Sequence, residues 1–127
     1  MTSSKDKLDL KKVGFDETGE TPRSASFLLE DDTTRVAASK ERDLVMDSMR
    51  KARTDYPWVK DLESSLVNPD TDEFTRLVAG HDDPAGNFIY VKEGAKIRFP
   101  AQSCFLLKAD RNEQVLHNII VLEPGSE

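Results

Sequence analysis

The sequence predicts an α+β fold in which a helical middle region leads into strands that begin to stack on one another. Three observations point to it. Between Ser39 and Ala79 apolar residues recur at helical spacing, and Pro57 and Asn68-Pro69 divide them into three runs. At Gly86 the period changes and short apolar runs separated by turn residues take over. The stretch from Phe88 to Glu127 then repeats itself, because Ile89 to Ala95 (IYVKEGA) returns 31 residues later as Ile120 to Ser126 (IVLEPGS). Each copy is an apolar triplet, two other residues, Gly and a small residue, so the pair predicts two rungs of one stacked β structure.

Composition narrows the function classes. With 127 residues the chain is one ordinary domain or part of a larger one. Its formal charge of −6 argues against a nucleic-acid backbone as partner, since phosphate binding requires clustered Lys and Arg. No apolar run approaches the roughly 20 residues needed to cross a bilayer. The N-terminus, MTSSKDKLDLKK, lacks the apolar core of a secretory signal. A single cysteine excludes an internal disulfide and a multi-thiolate metal site within the chain. A cytoplasmic protein with no nucleic-acid or membrane partner is the simplest expectation.

Three regions follow in order: a polar, partly disordered segment over 1–38, a helical region over 39–85 and the start of a β core over 86–127. In the first, Asp16 to Pro22 is rich in acidic and turn residues and reads as loop or disorder. Phe27 to Leu29 is either a short strand or an apolar anchor, and the acidic run Glu30-Asp31-Asp32 is a solvated turn rather than a cation site. A helix is expected over 40–53, capped by Ser39, with Val45, Met49, Ala52 and Tyr56 as its buried stripe. Pro57 opens a second helix over 57–67 that buries Trp58, Leu62 and Leu66. A third starts from Asp70 as cap, with Phe74, Leu77 and Val78 apolar. The expected strands are Phe88–Val91, Lys96–Phe99, Ser103–Lys108 and Gln114–Leu122. In the last, Val115, Ile119 and Val121 form one face and Leu116, Ile120 and Leu122 the other. A strand apolar on both faces wants cover on both, and two rungs cannot supply it. The expectation is a chain cut short or completed by another subunit.

Chemistry-bearing residues are sparse. His81, Asp82 and Asp83 adjoin in a loop and could hold a metal only with partners brought by the fold; the plainer reading is a solvated loop. His117, within the long strand, is a weak candidate ligand or base, and a satisfied strand histidine is the plainer reading. Cys104 is the other weak candidate; no positive group adjoins it in sequence, so an inert thiol is expected. There is no phosphate-binding glycine loop, nucleophile elbow or HExxH, and no complete catalytic set, so no enzyme is expected.

Six segments, in order and at family-like spacing, carry a resemblance. They are Arg23–Leu28 (RSASFL), Tyr56–Leu62 (YPWVKDL), Asp70–Ala79 (DTDEFTRLVA), Gly86–Lys96 (GNFIYVKEGAK), Phe99–Cys104 (FPAQSC) and Val115–Glu127 (VLHNIIVLEPGSE). From about residue 13 onward the chain resembles the N-terminal part of the SufB/SufD family, the scaffold proteins of the SUF iron–sulfur cluster assembly system, above all its archaeal and anaerobe-type members. The resemblance implies a helical N-terminal region followed by the first rungs of a right-handed parallel β-helix. It also implies pairing with a SufB/SufD-like subunit through that β-helix. Full-length relatives bind a SufC-type ATPase through a C-terminal region that has no counterpart here, and they build an iron–sulfur cluster from persulfide sulfur and iron. The family's cluster-building thiols and imidazoles lie late in the β-helix, so no ligand role passes to Cys104 or His117. Glu63-Ser64-Ser65 departs from the family, where apolar residues are usual. Two expectations follow: a non-catalytic fragment of the scaffold, or a free-standing module that pairs its β edge with a full-length partner. A metal enzyme built on His81, Asp82, Asp83 and His117 is the weakest reading.

Overall fold

A computed structural model describes residues 9–63, 65–110 and 113–127. Among these residues the chain forms six strands in two three-stranded sheets, three short α-helices and a 3-10 turn at Leu10–Val13. The strands are β1 (Ala25–Glu30), β2 (Thr33–Ser39), β3 (Leu44–Ser48), β4 (Asn87–Val91), β5 (Ala101–Leu106) and β6 (Ile119–Leu122); the helices are α1 (Met49–Asp55), α2 (Val59–Leu62) and α3 (Glu73–Ala79). One sheet runs β2-β1-β5, the other β3-β4-β6. Each joins an antiparallel pair to a parallel strand from much later in the chain, β5 on β1 and β6 on β4.

Side-chain alternation explains the packing. Ala25, Phe27 and Leu29 of β1 and Leu44 and Met46 of β3 point between the sheets, where they meet Ile89 and Val91 of β4. The intervening residues point outward to separate covers. Leu28 packs under Leu10 and Phe15, and Val45, Phe88, Tyr90 and Ile119 pack under Met49, Ala52, Tyr56 and Val59. β1 and β4 are therefore apolar on both faces because both faces are covered. Phe27 and Phe88 are fully buried, each stabilising the fold by on the order of 2 kcal/mol.

The structure corrects several local expectations. Residues 44–48 form a strand paired with β4, not the first half of a helix. The helix begins at Met49 with Ser48 as its cap, whose hydroxyl accepts from the Lys51 N–H at 3.1 Å. Ser39 instead closes a turn onto Glu41. The sequence misleads here because Val45 does join Met49, Ala52 and Tyr56 in one cluster, reaching it from a strand. α2 covers only Val59–Leu62, and Leu66 is 98% exposed. α3 is capped by Asp72, not Asp70, through a reciprocal pair of bonds with Thr75. Within the polar 1–38 segment, β1 and β2 form a hairpin. Its turn is the acidic run, with Asp31 in the left-handed region at φ 53°. The Asp16–Pro22 loop is pinned by the buried Asp16 carboxylate, which accepts from the N–H groups of Thr18 and Thr21 and from the Thr18 hydroxyl. Lys96–Phe99 forms no strand, and Gln114–Leu122 is a strand only over β6, with an isolated bridge from Leu116 to Ala85. Among the described residues there are two small sheets and no closed β-helix.

Candidate interaction surface

The repeat in the sequence is a repeat in space. β6 lies parallel to β4 with Phe88 beside Ile119, Ile89 beside Ile120, Tyr90 beside Val121 and Val91 beside Leu122, the offset at which the two copies match. The stacking extends beyond the strands. The His117 N–H donates to the Ala85 carbonyl at 2.8 Å, the Gly94 N–H to Pro124 at 3.1 Å and the Glu127 N–H to Ala95 at 2.9 Å. The glycine turns stack as well, Gly94 at φ 72° and Gly125 at φ 75°, a region in which glycine carries no Cβ penalty.

Two asparagines lock this register. Asn87 is buried, and its side chain donates to the Asp47 carbonyl at 3.0 Å and accepts from the Ser103 hydroxyl at 2.6 Å. Its backbone N–H donates to the Asn118 side-chain oxygen at 2.8 Å. A buried amide left without a partner would cost roughly 1–3 kcal/mol, so slipping the strands by one residue is penalised at both the asparagines and the glycines.

Beyond β6 the surface is apolar and open. β6 is the edge of its sheet, and Ile120 and Leu122 are 64% and 65% exposed, while Ile119 is buried. The alternation expected from sequence is therefore present, with one face covered. Alongside lies a cavity of about 620 Å³ between β6 and the α2–α3 segment, walled by Leu62, Leu66, Phe74 and Val78. α3 buries none of its residues; Phe74 and Leu77 are exposed. Edge strand, groove and unpacked helix form one contiguous apolar surface of the kind that marks an interaction site.

The sequence candidates for chemistry are distributed over three places: the 81–83 loop, Cys104 on β5 and His117 just before β6. His81 is exposed, and its Nδ1 accepts from the Asp83 N–H. Asp83 pairs with Arg50 and Arg53. Among the described residues no three His, Cys, Asp or Glu side chains gather where they could hold a metal ion. Cys104 is half-buried on β5 against the Leu10–Phe15–Leu28 cluster. Burial, and secondarily the Glu17 charge, push its thiol above the ordinary range, which disfavours the reactive thiolate. His117 sits partly buried at the mouth of the groove, its backbone tied to Ala85. Asn87 and Asn118 went unnoticed as a pair in the sequence reading. Extending the two repeat copies upstream by two residues would have aligned them.

No protein-family model matches the chain. Similarity to individual proteins is extensive. An iron–sulfur cluster assembly SufBD family protein of Archaeoglobus fulgidus is 38% identical over 122 residues, 96% of this chain and 32% of that protein. The chain is a relative of the SufBD family. A second SufBD protein, from the Delta H strain of Methanothermobacter thermautotrophicus, is 31% identical over 121 residues, 93% of this chain and 29% of that protein. A third, from the Winter strain, matches to the same extent. The chain thus spans about a third of the length of the SufBD relatives it matches. Among the described residues no helix is long and apolar enough to cross a membrane.

Proposed function

We propose that this chain is a component of an iron–sulfur cluster assembly scaffold, to which it contributes the opening rungs of a parallel β-helix and no catalysis of its own. The observation that carries the reading is the in-register parallel stacking of β6 on β4, with Ile120 and Leu122 exposed at the edge strand. A SufB/SufD-like subunit is the partner the family similarity suggests. The cluster is the cargo of that assembled complex. Cys104, kept as a neutral thiol, and His117, engaged in stacking, serve the fold on this reading.

The experiment is reconstitution. The chain and a full-length SufBD relative are mixed and followed by sedimentation, and cluster formation from ferrous iron and sulfide is read by absorbance. A stable heteromeric complex that supports cluster formation, with the chain alone forming none, is the expected result. Absence of any complex would sink the proposal. The exposed edge also supports the module reading, in which the chain acts as a free-standing piece. The reading frame downstream of its gene separates the two: further rungs encoded there favour the scaffold fragment, and an unrelated gene favours the module.

A further inference from the structure

We propose that the open edge of β6 selects a parallel strand by an asparagine and a glycine in fixed register: Asn, four apolar residues, two residues of any kind, then Gly. This rests on the proposed role of the edge and adds to it the chemistry of the partner strand.

The existing pair of rungs supplies the rule. Both read Asn, four apolar residues, two others and Gly, from Asn87 to Gly94 and from Asn118 to Gly125. Three features of their contact set the requirement. First, the N–H of Asn87 is satisfied by the side-chain oxygen of the next rung's asparagine, Asn118. Asn118 stands in the equivalent place at the open edge, so its own N–H calls for the side-chain oxygen of an asparagine on the incoming strand. Second, the four residues after Asn87 alternate between two apolar environments, Ile89 on the side between the sheets and Phe88 on the side of α1 and α2. In the next rung Ile119 shares the covered side with Phe88, while Ile120, the neighbour of Ile89, is left exposed. A strand seated on β6 continues both faces only if all four residues are apolar. Third, the turn that follows is left-handed at both levels, and the two turns stack with Gly94 donating to Pro124. A side chain there would be strained by conformation, since the nearest atoms to a Cβ on Gly125 are 3.8 Å away.

The occupant is therefore a parallel strand with this pattern and not any extended apolar peptide. An antiparallel partner would satisfy neither the asparagine nor the glycine register. The groove beside β6 accommodates the added strand's neighbourhood, with Leu62, Phe74 and Val78 as its wall.

The test uses the full chain and synthetic peptides. The peptide copying Leu116 to Ser126 carries the pattern; one variant replaces its asparagine with leucine, and another exchanges the asparagine with the residue after it. A spin label on the peptide N-terminus reports direction through broadening of amide signals. The expected result is saturable binding with broadening strongest near Leu116–Asn118, and affinity reduced roughly tenfold or more in both variants, the penalty of an unpaired buried amide. Broadening strongest near Leu122, equal affinity of the variants, no saturable binding, or pairing of two copies of the chain that excludes the peptide would each overturn the proposal. If a SufBD subunit joins the chain while the variants bind equally, the scaffold reading stands and the asparagine rule falls. If neither peptide nor subunit binds, both fall.

Discussion

Gly86 measures how closely the stacked segments approach. A Cβ placed there would lie 2.1 Å from the His117 carbonyl oxygen, and its φ of 151° strains any L-residue. Gly86→Ala is expected to lower stability by roughly 3 kcal/mol by prying the rungs apart. Gly19→Ala, with φ 79° but nothing within 4 Å of the added carbon, is expected to cost only about 1 kcal/mol. Urea denaturation of both variants checks the contrast; equal costs would show that the close approach is unimportant. Asp16 is a second sensitive residue. Its hydrogen bonds from Thr18 and Thr21 hold the carboxyl well below the ordinary 3.8. A carboxylate lowered in the folded state stabilises fully above its ordinary value and loses that contribution as pH falls below it. Acid titration of stability is expected to be steeper for the native chain than for Asp16→Asn. Parallel curves would remove Asp16 from the acid response. These two residues differ in legibility. The glycine turn stood out as punctuation, whereas the importance of Asp16 depends on Gln102, whose side chain reaches the Asp16 backbone from β5 and has no sequence signature.

At the scale of elements, the sequence revealed what each segment contributes to the core better than its conformation. The stripe Val45, Met49, Ala52 and Tyr56 does form one cluster, yet a helical spacing of apolar residues fits equally well when a strand delivers the first of them to a helix. Pairing with β4, forty-odd positions on, decided the matter in favour of strand. The β1–β2 hairpin was obscured because β2 is almost wholly exposed and shows no alternation. The relocated helix start gives its own prediction. Ser48→Ala is expected to cost about 1 kcal/mol through loss of the cap, measured by thermal unfolding; an unchanged midpoint would mean that the cap contributes nothing. The expected burial of Leu66 failed for a different reason: α2 stops at Leu62, and Leu66 follows in a bend that leaves it 98% exposed. The last strand was read well, since the alternation of Ile119 against Ile120 matches its burial, although its regular part is shorter than the apolar run.

At the scale of the whole molecule, each sheet carries its latest strand at an edge among the described residues, β5 in one and β6 in the other. A net charge of −6 opposes indiscriminate aggregation, while the exposed Ile120 and Leu122 at the edge of β6 favour specific association there. The isolated chain is expected to self-associate with rising concentration, and Ile120→Lys to weaken that association with little loss of stability, because the side chain is already exposed. Sedimentation velocity across a concentration series checks this, and a clean monomer of the native chain would argue against a sticky edge.

The stacked asparagines and glycines also make some lengths of the gene immutable and others free. Between Asn118 and Gly125, or between Asn87 and Gly94, adding a single codon throws one lock out of step with its neighbour. Added codons that fall between the two asparagine–glycine segments leave every stacked pair where it was. A glycine–serine pair inserted at the exposed Ala109–Asp110 step is expected to leave the unfolding midpoint nearly unchanged, while one residue inserted after Ile120 abolishes cooperative unfolding. The period of 31 is then a property of this copy of the loop, and the part that copies faithfully from rung to rung is the short ruler from asparagine to glycine.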